Sequence, residues 1–374
     1  ATTATLIYRV GFGVEVLAPM NVSGTTATAS IPGQAAGALV RYRLASLSPT
    51  NGTTGTWPRQ GDGATYTGTT VATSVTSRLP RFEWFISDAT YAQAASDLTL
   101  TGDDGYPCVF AYNGTIFDGS KARVKGQVSR SFPKKKWKMV LPAGHTLMIP
   151  DVLPEPVDEF ALHSSYADKS FLRETLAAEM MIDAGMPASQ AFPVRLERNG
   201  AFYGLYANVE TIKSSMMKRW FDGGDAPLFE ATDVDFAPAY VPLFDLDDGP
   251  DDRTMLTGVA NAMTIADPDA ALAAAAPYVD LDQFRRFWAF ESLVAQLDAM
   301  PYSIPGDDYY VYADPTHKLS FIPSGIDESF YSAELDVTNV AGVLAVKCKA
   351  SPTCFQAYAN EVWRLQGITE SMDL

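Results

Sequence analysis

The chain changes character near residue 80, and that change constrains its fold more than any other feature. Residues 1–80 are rich in Thr, Ser, Gly and Ala and carry few charges. Within them, β-branched or alternating runs are cut by turn signals: Thr25 to Ile31, Pro32-Gly33, Ala38 to Leu44, then Asn51-Gly52. Ala38 to Leu44 alternates after Leu39 as a half-buried strand does, and Asp62-Gly63 opens a further run to Val71. Short strands broken by Gly, Pro and Asn predict a small β-sandwich. The stretch holds no cluster of catalytic residue types, so a spacer or docking role is expected of it.

From Leu79 onward aromatics, charges and longer periodic segments appear. Asp88 to Ala95 reads as a short helix. Cys108 to Tyr112 and Thr115 to Phe117 form a hairpin around Asn113-Gly114. Lys121 to Val128 and Lys134 to Leu141 read as strands. Asp168 is placed to cap a helix running to Gly185, with Leu172, Leu176, Glu179 and Met180 near one face. A second hairpin turns at Asn199-Gly200, and a helix is expected from Leu281 to about Asp298. Two short strands follow, Tyr309 to Tyr312 and Leu319 to Ile322. The fold class expected is α+β, with an N-terminal β-sandwich.

Charge and cysteine content exclude several functions. The chain has 44 acidic and 28 basic side chains, a net charge of −16. A broad footprint on nucleic acid needs a net basic face, and a chain that as a whole repels phosphate disfavours that class. Apolar residues make up 47%, enough for a real core. The three cysteines, Cys108, Cys348 and Cys354, have no zinc spacing with His145, His163 and His317. Cys348 and Cys354 are close enough for a local bridge in an oxidising compartment; two buried thiols are the equal alternative. No stretch is long and apolar enough to span a membrane. The opening Ala1-Thr2-Thr3 fits a mature or trimmed protein.

The chemistry-bearing residues fall into opposite charges. Arg130 to Lys138 holds four lysines and an arginine in nine residues, which suggests an anionic ligand such as phosphate; a lysine-guarded edge strand is the alternative. Strand alternation puts Lys135 with Trp137 and Met139, on an apolar face where an ammonium needs a partner. Upstream, Lys125-Gly126 to Ser131 is a turn with a glycine and two serines able to hold phosphate, Ser129 among them. On the helix after Asp168, Glu179 is expected on the core-facing side, where it needs a cation; Glu174 is expected to be more exposed. Glu210 ends a strand. Asp298, Asp308 and Asp327 lie on loops around the last two strands, a fitting oxygen set for Mg²⁺. The acidic run Asp233 to Asp252 could hold Ca²⁺, but it lacks EF-hand spacing and reads better as a solvated loop.

At these residues the sequence resembles the CotH kinase family, the spore-coat-type atypical protein kinases. The matching stretches are KARVKGQVSRSFPKKKWKMVL (Lys121 to Leu141), ADKSFLRETLAAEMMIDAG (Ala167 to Gly185), RLERNGAFYGLYANVE (Arg195 to Glu210), and FWAFESLVAQLDAM through DDYYVYADPTHKLSFIPSGIDESF (Phe287 to Phe330). They occur in family order and cover most of Leu79 to Phe330. The resemblance implies an immunoglobulin-like module over 1–80, then a divergent two-lobed kinase domain over 81–374. Its small lobe would span about 81–210 and its large lobe about 211–374, with a C-terminus that looks trimmed. It implies that Lys135 or Lys138 holds the ATP phosphates, with Lys125 and Ser129 in the phosphate turn and Glu179 as the lysine's partner. Glu210 would sit beside the adenine. Asp298 would be the catalytic aspartate, and Asp308 and Asp327 the ligands of Mg²⁺ or Mn²⁺. Asp308 stands where the family usually has Asn, and Ser324-Gly325-Ile326-Asp327 where many members have Trp-Asp-x-Asp. The resemblance further implies phosphoryl transfer to Ser or Thr of a protein substrate, with an extracellular, cell-surface or spore-coat setting. A pseudokinase or structural surface protein using the fold as a binding module is the alternative.

Overall fold

The computed structural model describes residues 3–48, 52–221, 225–296, 298–314, 318–332 and 335–372. Asn51 and His317 lie outside the described residues. The chain is mixed α+β and divides into two compact units, residues 1–166 with 192–210 and residues 167–191 with 211–374.

In the first unit, β1 (Thr3–Val10), β2 (Val16–Pro19), β5 (Leu39–Leu47), β6 (Thr54–Trp57) and β7 (Thr67–Thr70) build one antiparallel sheet. Its order is β2-β1-β5-β6, with β7 also paired to β5. The strand expected over Thr25 to Ile31 is a short ribbon, β3 (Asn21–Ser23) with β4 (Thr26–Thr28). The expected strand at Ala38 is β5, whereas β1 carried no turn signal ahead of it and was not anticipated.

The remaining strands of this unit close into a barrel of order β10-β11-β12-β14-β13-β8-β9. They are β8 (Arg81–Phe85), β9 (Tyr106–Tyr112), β10 (Thr115–Lys125), β11 (Lys136–Val140), β12 (Glu159–His163), β13 (Ala191–Arg198) and β14 (Ala201–Val209). Closure satisfies the strand edges. It depends on β8 pairing in parallel with β13, Arg81 opposite Arg195. The two Asn-Gly hairpins form as expected: Asn113, Gly114, Asn199 and Gly200 all have positive φ, the two-residue turn that matches strand twist. Large aromatics fill the interior; Phe82, Trp84, Phe110 and Trp137 are fully buried. Trp84 meets Trp137 at 4.8 Å and Phe82 meets Phe110 at 5.0 Å, both edge to face. α1 (Asp88–Ser96) starts where the Ser87 hydroxyl accepts the Thr90 N–H.

The N-terminal sheet shares packing with the barrel strands. Leu39 clusters with Phe85, Val109, Ala111 and Ile116. Arg41 and Asp118 form a buried ion pair at 2.6 Å. Residues 1–80 therefore fall in the same compact unit as the strands that follow them.

The second unit is built on the antiparallel sheet β16-β15-β17-β18, made of β15 (Leu228–Ala231), β16 (Asp245–Asp248), β17 (Tyr309–Asp314) and β18 (Lys318–Pro323). Its helices are α2 (Arg173–Asp183), α3 (Ser214–Phe221), α4 (Thr254–Met263), α5 (Pro268–Ala275), α6 (Leu281–Leu293), α7 (Val343–Ala350) and α8 (Pro352–Thr369). Phe236, Phe284, Phe287, Trp288 and Phe321 belong to one core, and Trp288 stacks on Tyr358 of α8 at 3.6 Å. Cys348 and Cys354 are joined by a disulfide, which resolves the choice between a bridge and two thiols; Cys108 is a buried thiol. Among the described residues, no helix is long and apolar enough to cross a membrane.

Candidate functional site

Lys125, Ser129, Lys135, Lys138 and Glu210 belong to the first unit, and Glu179, Asp298, Asp308 and Asp327 to the second. Each group is built by different elements.

In the first unit the predicted strands shift. β10 ends at Lys125, and Val128–Ser131 is a 3₁₀ turn rather than a strand end. Gly126 has φ +103°, and a Cβ there would strike the Ser129 hydroxyl, so the glycine permits this turn. Arg130 donates to the Gly126 carbonyl and pins it. β11 begins at Lys136, not Lys134, because Pro133 has no N–H to give a ladder.

This shift redistributes the lysines. Lys135 lies just before the strand, half-buried, and donates to the Arg130 carbonyl at 2.5 Å. Lys138 has two carboxylate partners, Asp103 at 2.8 Å and Glu159 at 2.9 Å. Burial disfavours its charge, but the two carboxylates outweigh that and hold the ammonium above its usual pKa. Lys134, to which no separate role was given, donates to the Ser164 and Leu205 carbonyls, each at 2.6 Å, and sits 4.5 Å over the Tyr206 ring. Burial pulls its pKa down to about 8. Glu210 is buried immediately after β14.

In the second unit the helix begins later than expected. Asp168 is a buried anchor for it and not its cap residue: its carboxylate accepts from Ser170 and, at 3.0 Å, from the Arg173 N–H that opens α2. These donors outweigh burial and hold its pKa low. The face assignment also reverses. Glu179 is exposed, whereas Glu174 is only 3% exposed. The buried face is marked by Glu174, Ala177, Ala178 and Met181, while Leu172 points to solvent. Glu174 was the alternative helix carboxylate, and it is the one that reaches a predicted metal ligand. α2 packs on the 3₁₀ turn Ile326–Glu328, and carboxylate oxygens of Glu174 and Asp327 lie within 4.8 Å of each other.

α6 ends at Leu293, so Asp298 lies on the following loop, exposed, rather than at a helix end. Its charge is felt by Asp307, whose pKa is raised first by burial and then by Asp233 and Asp298. Asp307 in turn accepts the Asp308 N–H at 2.9 Å. Asp308 is seated against Gly325: a Cβ on that glycine would come within 2.1 Å of the Asp308 carboxyl carbon. Gly325 also has φ +60°, so no other residue suits both the backbone and the approach. Gln296 ties the two together, donating to the Gly325 carbonyl at 2.9 Å and the Asp308 carboxylate at 3.4 Å. The turn that carries Gly325 and Asp327, with Asp308 seated against it and Glu174 beside Asp327, thus forms an acidic corner, in which the Glu174 and Asp327 oxygens are close enough to share a divalent cation such as Mg²⁺.

Glu291 of α6 lies beneath this corner, fully buried, and had no expected role. Burial, then the Asp308 charge, push its pKa well above the usual carboxylate range.

The Asp233 to Asp252 run does not gather. Asp235 is buried and accepts the Val343 N–H at 2.8 Å, Asp251 pairs with Arg253 at 2.7 Å, and Asp252 accepts the Thr254 N–H at 2.9 Å. Among the described residues, no three carboxylates of that run come within metal-sharing distance.

Residues 122–345, more than half of the chain, match the family described as CotH kinase protein. No curated protein matches the chain.

Proposed function

The chain belongs to the CotH kinase family, and from that premise we propose an atypical protein kinase that transfers the γ-phosphoryl of ATP to Ser or Thr hydroxyls of a protein substrate. The observation that carries the reading is the acidic corner of the second unit, where carboxylate oxygens of Glu174 and Asp327 lie within 4.8 Å of each other and Asp308 sits against Gly325 of the same turn. Phosphoryl transfer is mainly positioning and charge neutralisation, so it needs such a set more than it needs a nucleophile.

Mg²⁺ or Mn²⁺, when bound, supplies charge neutralisation on the phosphate oxygens. Asp308 and Asp327 would hold it, with Glu174 adding an oxygen beside Asp327; Glu179, expected as the partner of the phosphate-holding lysine, is exposed. Asp298 would orient the substrate hydroxyl and accept its proton. In the first unit, Lys134 joins Lys135 as a phosphate donor, because Lys138 already has Asp103 and Glu159. Lys125 and Ser129 would complete the phosphate turn, and Glu210 would meet the adenine. The divergent two-lobed kinase fold and the immunoglobulin-like character of residues 1–80 belong to the same proposal. A buried disulfide between α7 and α8 favours an oxidising compartment, hence a secreted, surface or coat protein.

The test is incubation with γ-labelled ATP, Mg²⁺ or Mn²⁺, and casein. Label on casein that disappears in Asp327→Ala, with the fold retained, is the expected result. The second reading, a pseudokinase or binding module, is favoured by Asp308 standing where the family usually has Asn. It predicts ATP binding without label on any protein.

A further inference from the structure

A pocket of about 530 Å³ opens in the second unit at the end of β17 opposite the acidic corner. Ala313 lines it and is five residue steps along the chain from Asp308, about 17 Å of extended chain. Its walls are Tyr278, Met255, Pro227 and Pro277, and its rim carries Asp225 and Asp252. Among the described residues, no basic residue lines it. Asp225 is exposed, and its carboxylate meets no partner among the described residues. Asp252 is exposed too, and uses one oxygen to accept the Thr254 N–H.

The aromatic wall is held in place by the helix behind it. Gly258 lies in the interior of α4, where glycine is less favourable than alanine. A Cβ there would come within 2.5 Å of the Tyr278 ring. The helix therefore gives up stability where the ring lies on it, and Tyr278 also lines the pocket.

We infer that this pocket docks a lysine- or arginine-bearing segment of the protein substrate. An apolar floor with carboxylates at the mouth matches a side chain that buries an alkyl stem and keeps its cation at the rim. The Tyr278 face adds a cation–π surface for that head group. Volume is adequate, since ligand pockets run from about 300 to 1,000 Å³. The charge of the unit points the same way: residues 167–191 and 211–374 contain 30 acidic and 12 basic side chains, a net −18. The word substrate rests on the kinase reading above; the pocket and its occupant do not.

The experiment uses the full chain and a fluorescein-labelled decapeptide of alternating Arg and Leu, read by anisotropy. A counterpart with Glu for Arg is the control ligand. Asp225→Asn with Asp252→Asn is expected to raise Kd for the basic peptide about tenfold. Gly258→Ala, which displaces the Tyr278 wall, is expected to weaken it as well. Asp336→Asn with Glu370→Gln removes the same charge elsewhere on the unit and is expected to leave Kd unchanged. Equal losses in both double variants, or equal binding of the acidic peptide, would overturn the site, because attraction would then be diffuse. A second arm joins the basic segment to a serine-containing peptide and follows phosphate transfer. Transfer that drops about tenfold in kcat/KM with the pocket variant supports docking of a substrate. No transfer by the wild type, with pocket-dependent anisotropy intact, overturns the kinase reading and leaves the docking site standing.

Discussion

A single carboxyl group, Glu291, shows how much electrostatic cost the acidic corner carries. Both its oxygens are buried without a hydrogen-bond partner among the described residues, and the Asp308 charge lies nearby. With the folded-state pKa raised above the unfolded value, the native state holds a proton that the unfolded chain releases. Stability from this group is therefore fully present below the unfolded pKa of about 4.3 and is lost as pH rises from there. Glu291→Gln keeps the shape of the neutral acid and removes the loss. It is expected to stabilise the protein at pH 7 by about 1 kcal/mol, or about 2–4 °C in Tm, with the gain vanishing near pH 4. Thermal denaturation at both pH values checks this, and an unchanged Tm at pH 7 would mean the carboxyl is satisfied. Gly325 makes a second residue-scale case. Gly325→Ala adds a Cβ where the Asp308 carboxyl carbon sits and strains a left-handed backbone position. The expected cost is about 1–3 kcal/mol in urea denaturation. Phosphate transfer should fall at least about tenfold through loss of kcat, because Asp308 is displaced.

Elements joined by local signals were readable from sequence, and those defined by distant partners were not. The Asn113-Gly114 and Asn199-Gly200 hairpins, the short helix after Ser87 and the final strand pair follow from turn chemistry and alternation within a few residues. Barrel closure is different: the β8–β13 pairing joins Arg81 to Arg195, and nothing local to either strand announces it. The candidate site divides in the same way. Asp298, Asp308 and Asp327 are legible as loop carboxylates near the last strands. The Glu174 assignment is not, because the buried face of α2 includes Ala177, Ala178 and Met181, while Leu176 is only partly buried and Leu172, just before the helix, is exposed. Alanine is the residue least informative about which side of a helix is covered, since it fits either. Lys134 was hidden by Pro133, which delays β11 by two residues from its expected start. The α7–α8 junction lends itself to a test at this scale. The disulfide closes a loop of seven residues, for which chain entropy predicts about 2–3 kcal/mol. Cys348→Ser with Cys354→Ser should lower the urea midpoint accordingly. A dithiothreitol-treated wild type should match the variant, and a midpoint insensitive to both would show that core packing alone holds the two helices.

Over the whole molecule, the net charge is distributed unevenly. The first unit holds 16 basic and 14 acidic side chains, a net +2, so the second unit's −18 exceeds the charge of the entire chain. Exclusion of nucleic acid by charge thus applies to the second unit far more than to the first, whose basic residues concentrate between Arg130 and Lys138. A surface of one sign raises the local concentration of oppositely charged partners, and the effect decays over about 10 Å at 0.1 M salt. Substrate capture by a −18 unit should therefore depend on ionic strength with opposite signs for basic and acidic proteins. Raising NaCl from about 20 mM to about 300 mM, which shortens the Debye length about fourfold, is expected to increase KM for a basic substrate severalfold and to decrease KM for casein, which is acidic. The kcat for both should stay nearly constant, because charges close to the reacting atoms are screened less than those met on approach. Steady-state kinetics at four salt concentrations separates the two contributions. A parallel rise of KM for both substrates would place the salt effect on ATP and its metal instead of on the protein substrate, and the charge segregation would then have no part in choosing the partner.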